Sequence, residues 1–385
     1  MSYIYKSAKS YLSSIPSHIK LSEYPLTKMD ANKLNVFLKD YSVFQGLNMS
    51  DVAFITKKLD TINLFRGCTV GCLHCLRNAV APKKNRETIL FEDLRQLLNA
   101  FHNLSERLGF DILNGNKFLN IADDSEPMNI PIKGIKEDHG ISEVIRLIYK
   151  KLGIPVSLTT SGWESKMDRS IGYQQQYKTA KWLVQTAKTT PDAIKEIQVS
   201  INPFQPSESY ANRMANTLYA FLDLFKLNKV RIIYKHSKDN LSQYGADAAK
   251  KLYEEIYAKL QILADSKLEC FPELKPEIVT KISKNNWIQP SGRGRKFISE
   301  QENKNLQEKF ENEFKIWQGM SPKEQYDTLL NKSRKFIDID GSIYVSKPTN
   351  IFYTHEPIEV TVPTDIKLNF INQEKPNKIF SDVDL

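Results

Sequence analysis

Three cysteines crowd one short stretch of the chain. The segment Arg66–Arg77 reads RGCTVGCLHCLR and sets Cys68, Cys72 and Cys75 in a C-x3-C-x2-C spacing. Thiolates are soft metal ligands, and three on one loop can converge on a single centre. Closely spaced cysteines hold [4Fe–4S] clusters, and three protein ligands leave one iron with an open position, as catalytic metal sites do. The alternative is a zinc site completed by His74 or His102. Zinc ligands usually come as two short spacings at a distance, and there is no second C-x2-C here. A third reading makes the trio inert buried thiols. The spacing favours iron–sulfur.

Other chemistry-bearing residues share a position in the pattern, just past or at the end of runs of strand character. Glu126 lies in Ala122–Met128 (ADDSEPM), and Ser161 in Thr159–Gly162 (TTSG). Ser200 and Asn202, in VSINPF, are two residues apart and therefore on one face of a strand. Arg213 falls in the first turns of the helical segment that follows, where a guanidinium can grip a carboxylate through two donors. The competing readings are an acidic turn capping a helix for Glu126, and ordinary strand-end capping and a surface arginine for the others. Cys270, in LECFPELKPE, is the one cysteine outside the trio. It reads either as a thiol within reach of a cavity or as a small buried hydrophobe.

The elements that must position these residues alternate. Strands are expected at Thr61–Phe65, Lys117–Ala122, Val156–Thr160, Ile197–Ile201, Lys229–Tyr234 and, more weakly, Trp287–Gln289. Between them, apolar residues recur at three- and four-residue spacing over Thr88–Leu108, Ser142–Leu152 (opened by a Ser142 N-cap), Gln174–Lys188, Ala211–Leu227 and Gly245–Leu263, which marks helices. Such alternation specifies a parallel sheet with helices outside it, whose ligands gather beyond the carboxyl ends of the strands. Residues 1–57 read as an N-terminal cap. Residues 299–333 read as two polar helices broken at Gly319–Pro322. Lys335–Val345 alternates around Asp340–Gly341 as a type I′ hairpin would, and a further β segment is expected at Ile351–Val362.

Composition narrows the class. The chain has 385 residues, of which 41% are hydrophobic and 26% charged, enough for a sizeable core. No apolar run approaches the roughly 20 residues that cross a bilayer, and the first residues lack a secretory apolar region, so no membrane partner and a cytoplasmic setting with reduced thiols are expected. The net charge of +9 is spread among acidic residues along the chain, which suits a solvated surface and leaves a polyanionic partner such as nucleic acid open.

C-x3-C-x2-C directly after a first strand, in an alternating strand–helix chain, resembles the radical S-adenosylmethionine (SAM) superfamily over about residues 58–295. The resemblance implies an α/β fold, a partial (β/α)6 TIM-like barrel over residues 58–298, between the cap and a C-terminal helical and β-hairpin extension at residues 299–385. It implies that Cys68, Cys72 and Cys75 hold a [4Fe–4S] cluster whose open iron binds SAM, and that an external reductant of the flavodoxin or ferredoxin type supplies an electron for cleavage to a 5′-deoxyadenosyl radical. Glu126 and Pro127 match the acid and proline of the family's G-G-E-P segment, with Asp124 and Ser125 in place of its glycines. Ser161 sits in the counterpart of a T-N-G turn near the methionine moiety. Ser200, Asn202 and Arg213 resemble the polar set around the ribose and the SAM carboxylate. His74 fills the slot beside adenine, and Pro290–Arg293 resembles a P-x-G-R turn that Gly292 brings close to the cofactor.

The C-terminal hairpin resembles the SPASM and twitch extensions of peptide-modifying members, without their auxiliary-cluster cysteines, and Cys270 is similar to the lone thiol with which radical SAM epimerases return a hydrogen atom. The substrate implied is a peptide or protein. A small metabolite or nucleotide, a group-transfer reaction, and last a non-catalytic zinc-binding protein are the alternatives.

Overall fold

The computed structural model describes residues 41–47, 49–66, 86–108, 112, 117–121, 126–128, 132–135, 139–162, 171–201, 209–234, 245–264, 301, 304–305, 308, 312, 315–316, 318–332, 334–346, 361–370 and 378–379. Helix α1 (Met49–Thr56) leads into strand β1 (Leu59–Ile62), and the short strands β2 (Phe65–Arg66) and β3 (Arg86–Thr88) follow. Next come α2 (Phe91–Leu108), β4 (Leu119–Asn120), α3 (Gly140–Leu152), β5 (Val156–Thr160), α4 (Ile171–Thr189) and β6 (Ile194–Ile201). Helices α5 (Ser209–Ala220) and α6 (Leu222–Lys226), strand β7 (Val230–Tyr234) and α7 (Ala246–Ala264) continue the alternation. The chain then runs through α8 (Pro322–Lys332) to β8 (Lys335–Ile337), β9 (Ser342–Ser346), β10 (Thr361–Lys367) and β11 (Lys378–Ile379).

Local sequence accounts for these elements. Ile141, Val144, Ile145 and Ile148 form the buried stripe of α3, which ends at Gly153 in a left-handed conformation (φ +66°) whose N–H closes on Tyr149 O at 2.8 Å. Ser321 and Glu324 form a reciprocal capping box at the start of α8, with the Ser321 N–H donating to Glu324 Oε2 at 2.7 Å and the Glu324 N–H to Ser321 Oγ at 3.3 Å. The expected break after Gly319 is therefore a helix start built by side chains.

The sheet is mixed and mostly parallel, in the order β10-β9-β8-β1-β4-β5-β6-β7. From β1 through β7 the strands of this sheet lie side by side in chain order, all parallel, with no reversal. Right-handed crossovers that step in one direction put their helices on one side of a sheet. Accordingly α2 packs on α3, α3 on α4, α4 on α5, and α5 on α7. Leu158, Ile197, Val199 and Ile232 share one core with Val144, Leu183, Met214 and Leu218 of those helices. The register pairs Thr61 with Asn120, Asn120 with Ser157, Ser157 with Glu196, and Thr159 with Gln198, a polar set across four strands. β8 extends the sheet beyond β1 in parallel, so the C-terminal hairpin continues the central sheet.

Several expectations need correction. Thr88 belongs to β3, paired with Phe65, so α2 begins three residues later than its periodicity suggests. Ser142 does not cap a backbone N–H: its hydroxyl donates to the His139 carbonyl, and His139 holds the N-cap position. The segment Ala211–Leu227 is two helices, because Phe221 leaves helical geometry (φ −97°, ψ 5°) as its side chain becomes fully buried. The hairpin turn is not type I′, which needs two positive φ values. Only Gly341 has one (φ +80°), and its N–H donates to Asp338 O at 2.9 Å, a type I turn closed by a glycine bulge. A Cβ at Gly341 would lie 2.4 Å from Leu368 O, so that residue must be glycine for space as well as conformation. Of the β segment expected at Ile351–Val362, Thr361 and Val362 open β10, and the rest lies outside the described residues, as does the strand expected at Trp287–Gln289.

Candidate functional site

Residues 67–85, which carry the cysteine trio and His74, lie outside the described residues, but their anchorage does not. The chain leaves β1 at Asn63, whose N–H donates to Ile337 O at 2.8 Å, and at Leu64, whose N–H donates to Ile121 O at 3.3 Å. β2 and β3 then pair antiparallel, Phe65 with Thr88 and Arg66 with Glu87, and so close the base of the segment. β11 adds a third strand, placing Lys378 opposite Glu87 and Ile379 opposite Arg86. Arg66 and Arg86, the residues that flank the cysteine segment, are thus both held in one small sheet that follows β1.

Glu126 sits past the carboxyl end of β4 and is 2% exposed. Its carboxylate is held by the turn that ends β5. The Thr160 hydroxyl donates to Oε1, the Ser161 N–H donates to Oε2 at 2.7 Å, and the nearby Met128 N–H donates to Oε1 at 3.3 Å. Burial pushes the Glu126 carboxyl up to about 7, against the downward pull of these donors and of the Arg213 charge. The turn itself depends on Gly162, which has φ +80° and packs against α5. A Cβ there would lie 2.7 Å from Met214 Sδ and 2.9 Å from Thr217 Oγ1. Ordinary capping of a helix start does not by itself account for Glu126, since two of its three donors come from a neighbouring strand end.

Arg213, 8% exposed on α5, and Ser200, buried near the end of β6, supply donors. Arg213 Nε and Nη2 and Ser200 Oγ are buried and meet no hydrogen-bond partner among the described residues. Buried donors of this kind are costly unless something else satisfies them. The Tyr210 ring lies under the guanidinium, with Cζ 4.9 Å from the ring centroid, and its hydroxyl donates to Ser200 O at 3.2 Å. A buried carboxyl and a buried, unsatisfied guanidinium fork therefore face the same region. That arrangement suits a ligand carrying an ammonium and a carboxylate close together.

Of the residues the sequence singled out, Glu126, Ser161 and Arg213 come together here, Ser161 through its backbone N–H, while Ser200 is tied in through its carbonyl, which accepts the Tyr210 hydroxyl. Cys68, Cys72, Cys75, His74, Asn202 and Cys270 lie outside the described residues, as do Asp124, Ser125 and Pro290–Arg293. His102 stands in the middle of α2. Among the described residues no three metal-binding side chains converge, and no helix is long and apolar enough to cross a membrane. Sequence reading missed Tyr210, although an aromatic residue one turn before a candidate arginine is a spacing that could have marked it. It also missed the carboxylate-binding role of Thr160. Comparison with protein-family models and with curated proteins returns no match to this chain.

Proposed function

We propose that the protein is a radical SAM enzyme, and that its parallel strands curl into a partial barrel around the site. The observation that carries the reading is the pair of buried Arg213 donors without partners among the described residues, beside the buried carboxyl of Glu126, in a chain whose first parallel strand leads into a C-x3-C-x2-C segment. These residues fit the α-amino acid end of SAM: Glu126 accepts from its ammonium, and Arg213 and Ser200 donate to its carboxylate. Cys68, Cys72 and Cys75 would hold a [4Fe–4S] cluster. When bound, cluster and SAM supply a one-electron cleavage of the sulfonium to methionine and a 5′-deoxyadenosyl radical that takes a hydrogen atom from substrate.

The chain's own work is to bind and orient. Desolvation strengthens the contacts of Glu126 and Arg213, and the turn at Thr160–Gly162 fixes the carboxylate before ligand arrives. The substrate class is a peptide or another polar molecule. The polar set Thr61, Asn120, Ser157, Thr159, Glu196 and Gln198, in register across four strands, supports that class. An external one-electron donor of the flavodoxin or ferredoxin type and a cytoplasmic setting belong to the same reading.

Anaerobic reconstitution with iron and sulfide, then incubation with SAM and dithionite, tests it. The expected product is 5′-deoxyadenosine, lost in each of Cys68→Ala, Cys72→Ala and Cys75→Ala. Zinc as the sole metal would overturn the reading. So would a methylated or aminocarboxypropylated product without 5′-deoxyadenosine, which marks group transfer.

A further inference from the structure

Arginine donors are useful to a carboxylate only when the planar fork is aimed correctly. A guanidinium has two surfaces for contact: its faces, which stack on aromatic rings, and its edges, which carry the N–H donors. In this site the face is taken. Tyr210 precedes Arg213 by three residues on α5, so the two side chains share one side of the helix. Its ring, 2% exposed, lies 4.9 Å from the Arg213 Cζ, while Nε and Nη2 remain without partners among the described residues. The Tyr210 hydroxyl meanwhile donates to Ser200 O at 3.2 Å and ties α5 to the end of β6. The Thr217 hydroxyl donates to Arg213 O at 3.0 Å and holds the helix backbone beneath.

We propose that Tyr210 is a positioning residue: its ring sets the plane of the Arg213 guanidinium so that the Nε–Nη2 edge meets the carboxylate of an α-amino acid ligand. The inference rests on the reading of the site as a SAM site and adds the residue that makes the site selective for a ligand with a carboxylate. Tyr210 acts through the aim of Arg213, and its hydroxyl is turned to the Ser200 carbonyl, so its effect follows the carboxylate and no other part of the ligand.

Two ligands separate this role from general support of the fold. Dissociation constants are measured anaerobically on the full-length, cluster-reconstituted protein for SAM and for decarboxylated SAM, which lacks only the carboxylate. Tyr210→Leu is expected to weaken SAM about tenfold while changing the decarboxylated ligand by less than about twofold. Tyr210→Phe keeps the ring and should restore most of the SAM affinity. Tyr210→Met gives the same comparison with a larger ring-free side chain if the leucine variant melts early. Equal weakening of both ligands overturns the proposal, as does a selective loss in Tyr210→Phe equal to that in Tyr210→Leu. A Tyr210→Leu protein with full SAM affinity, beside an Arg213→Lys protein that selectively loses it, overturns the role of Tyr210 and leaves the SAM site standing. An unmodified protein that binds neither ligand overturns the SAM site, and this inference with it.

Discussion

Thr160 stands between Glu126 and Gly162, its hydroxyl donating to Glu126 Oε1 while it accepts the Gly162 N–H at 3.1 Å. One side chain thus sets both the carboxylate and the turn that packs on α5.

The first prediction concerns the proton on Glu126. Burial pushes this carboxyl up to about 7 from the usual 4.5, and an ammonium ligand pairs only with the ionised form. SAM affinity should therefore climb roughly tenfold per pH unit between about pH 5 and 7, then flatten. Glu126→Gln should abolish the slope, and Thr160→Val, which removes a donor that favours ionisation, should shift the midpoint upward. Folding stability runs the other way. With its folded value raised, the group's contribution is fully present below about 4.5 and is lost as pH rises through about 7. Glu126→Gln should consequently gain stability over the parent at alkaline pH, by at most about 3 kcal/mol. A pH-independent dissociation constant in the unmodified protein would remove Glu126 from ammonium recognition.

β5 and α3 were legible because their patterns agree at every level: β-branched alternation in one, an apolar stripe with a glycine stop in the other. The carboxyl-end rule pointed to Glu126 and Ser161, which the structure joins, without any long-range information, since in a parallel sheet that end is where loops converge. What could not be read depends on contacts distant in sequence. The Thr88 boundary is decided by pairing with Phe65, the turn at Asp340–Gly341 by the approach of Leu368, and the break at Phe221 by burial. The partnership of Tyr210 with Arg213 is not marked by periodicity, which reports burial of a face and not what a guanidinium lacks. Two-residue strands such as β11 carry no periodic signal at all.

β11 provides the second prediction. By pairing with β3 it removes an open edge from the small sheet that roots the cysteine segment. Deleting residues 377–385 takes away that ladder, worth about 1 kcal/mol, or roughly fivefold in the frequency of local opening. The reconstituted cluster of the truncated protein should bleach severalfold faster in air, followed by its visible absorbance, with the thermal midpoint little changed. Matching bleaching rates would show that the tail plays no part in holding the segment.

The third prediction is placed on Lys335, whose side chain is fully buried at the start of β8. Its Nζ donates to Leu329 O at 2.8 Å and Leu330 O at 2.7 Å, carbonyls in the last turn of α8. The same nitrogen lies 4.9 Å from the Phe54 ring centroid, so one amine joins α8, β8 and α1. Burial, with added repulsion from Lys58 and Lys57, pushes the Lys335 amine down to about 6 from 10.5. The folded protein releases this proton near 6 and the unfolded chain near 10.5. The contribution to stability therefore grows as pH rises between those values and is lost as pH falls toward 6, at no more than about 1.4 kcal/mol per unit. Lys335→Met should erase this slope, and by withdrawing the Nζ donors from the Leu329 and Leu330 carbonyls should cost about 1–3 kcal/mol at high pH, where the parent benefits most. Urea unfolding of both proteins at about pH 7 and pH 9 measures the difference. The two stability curves should diverge as pH rises. Parallel curves would mean that the buried amine stays charged, held by the α8 carbonyls and the face of Phe54.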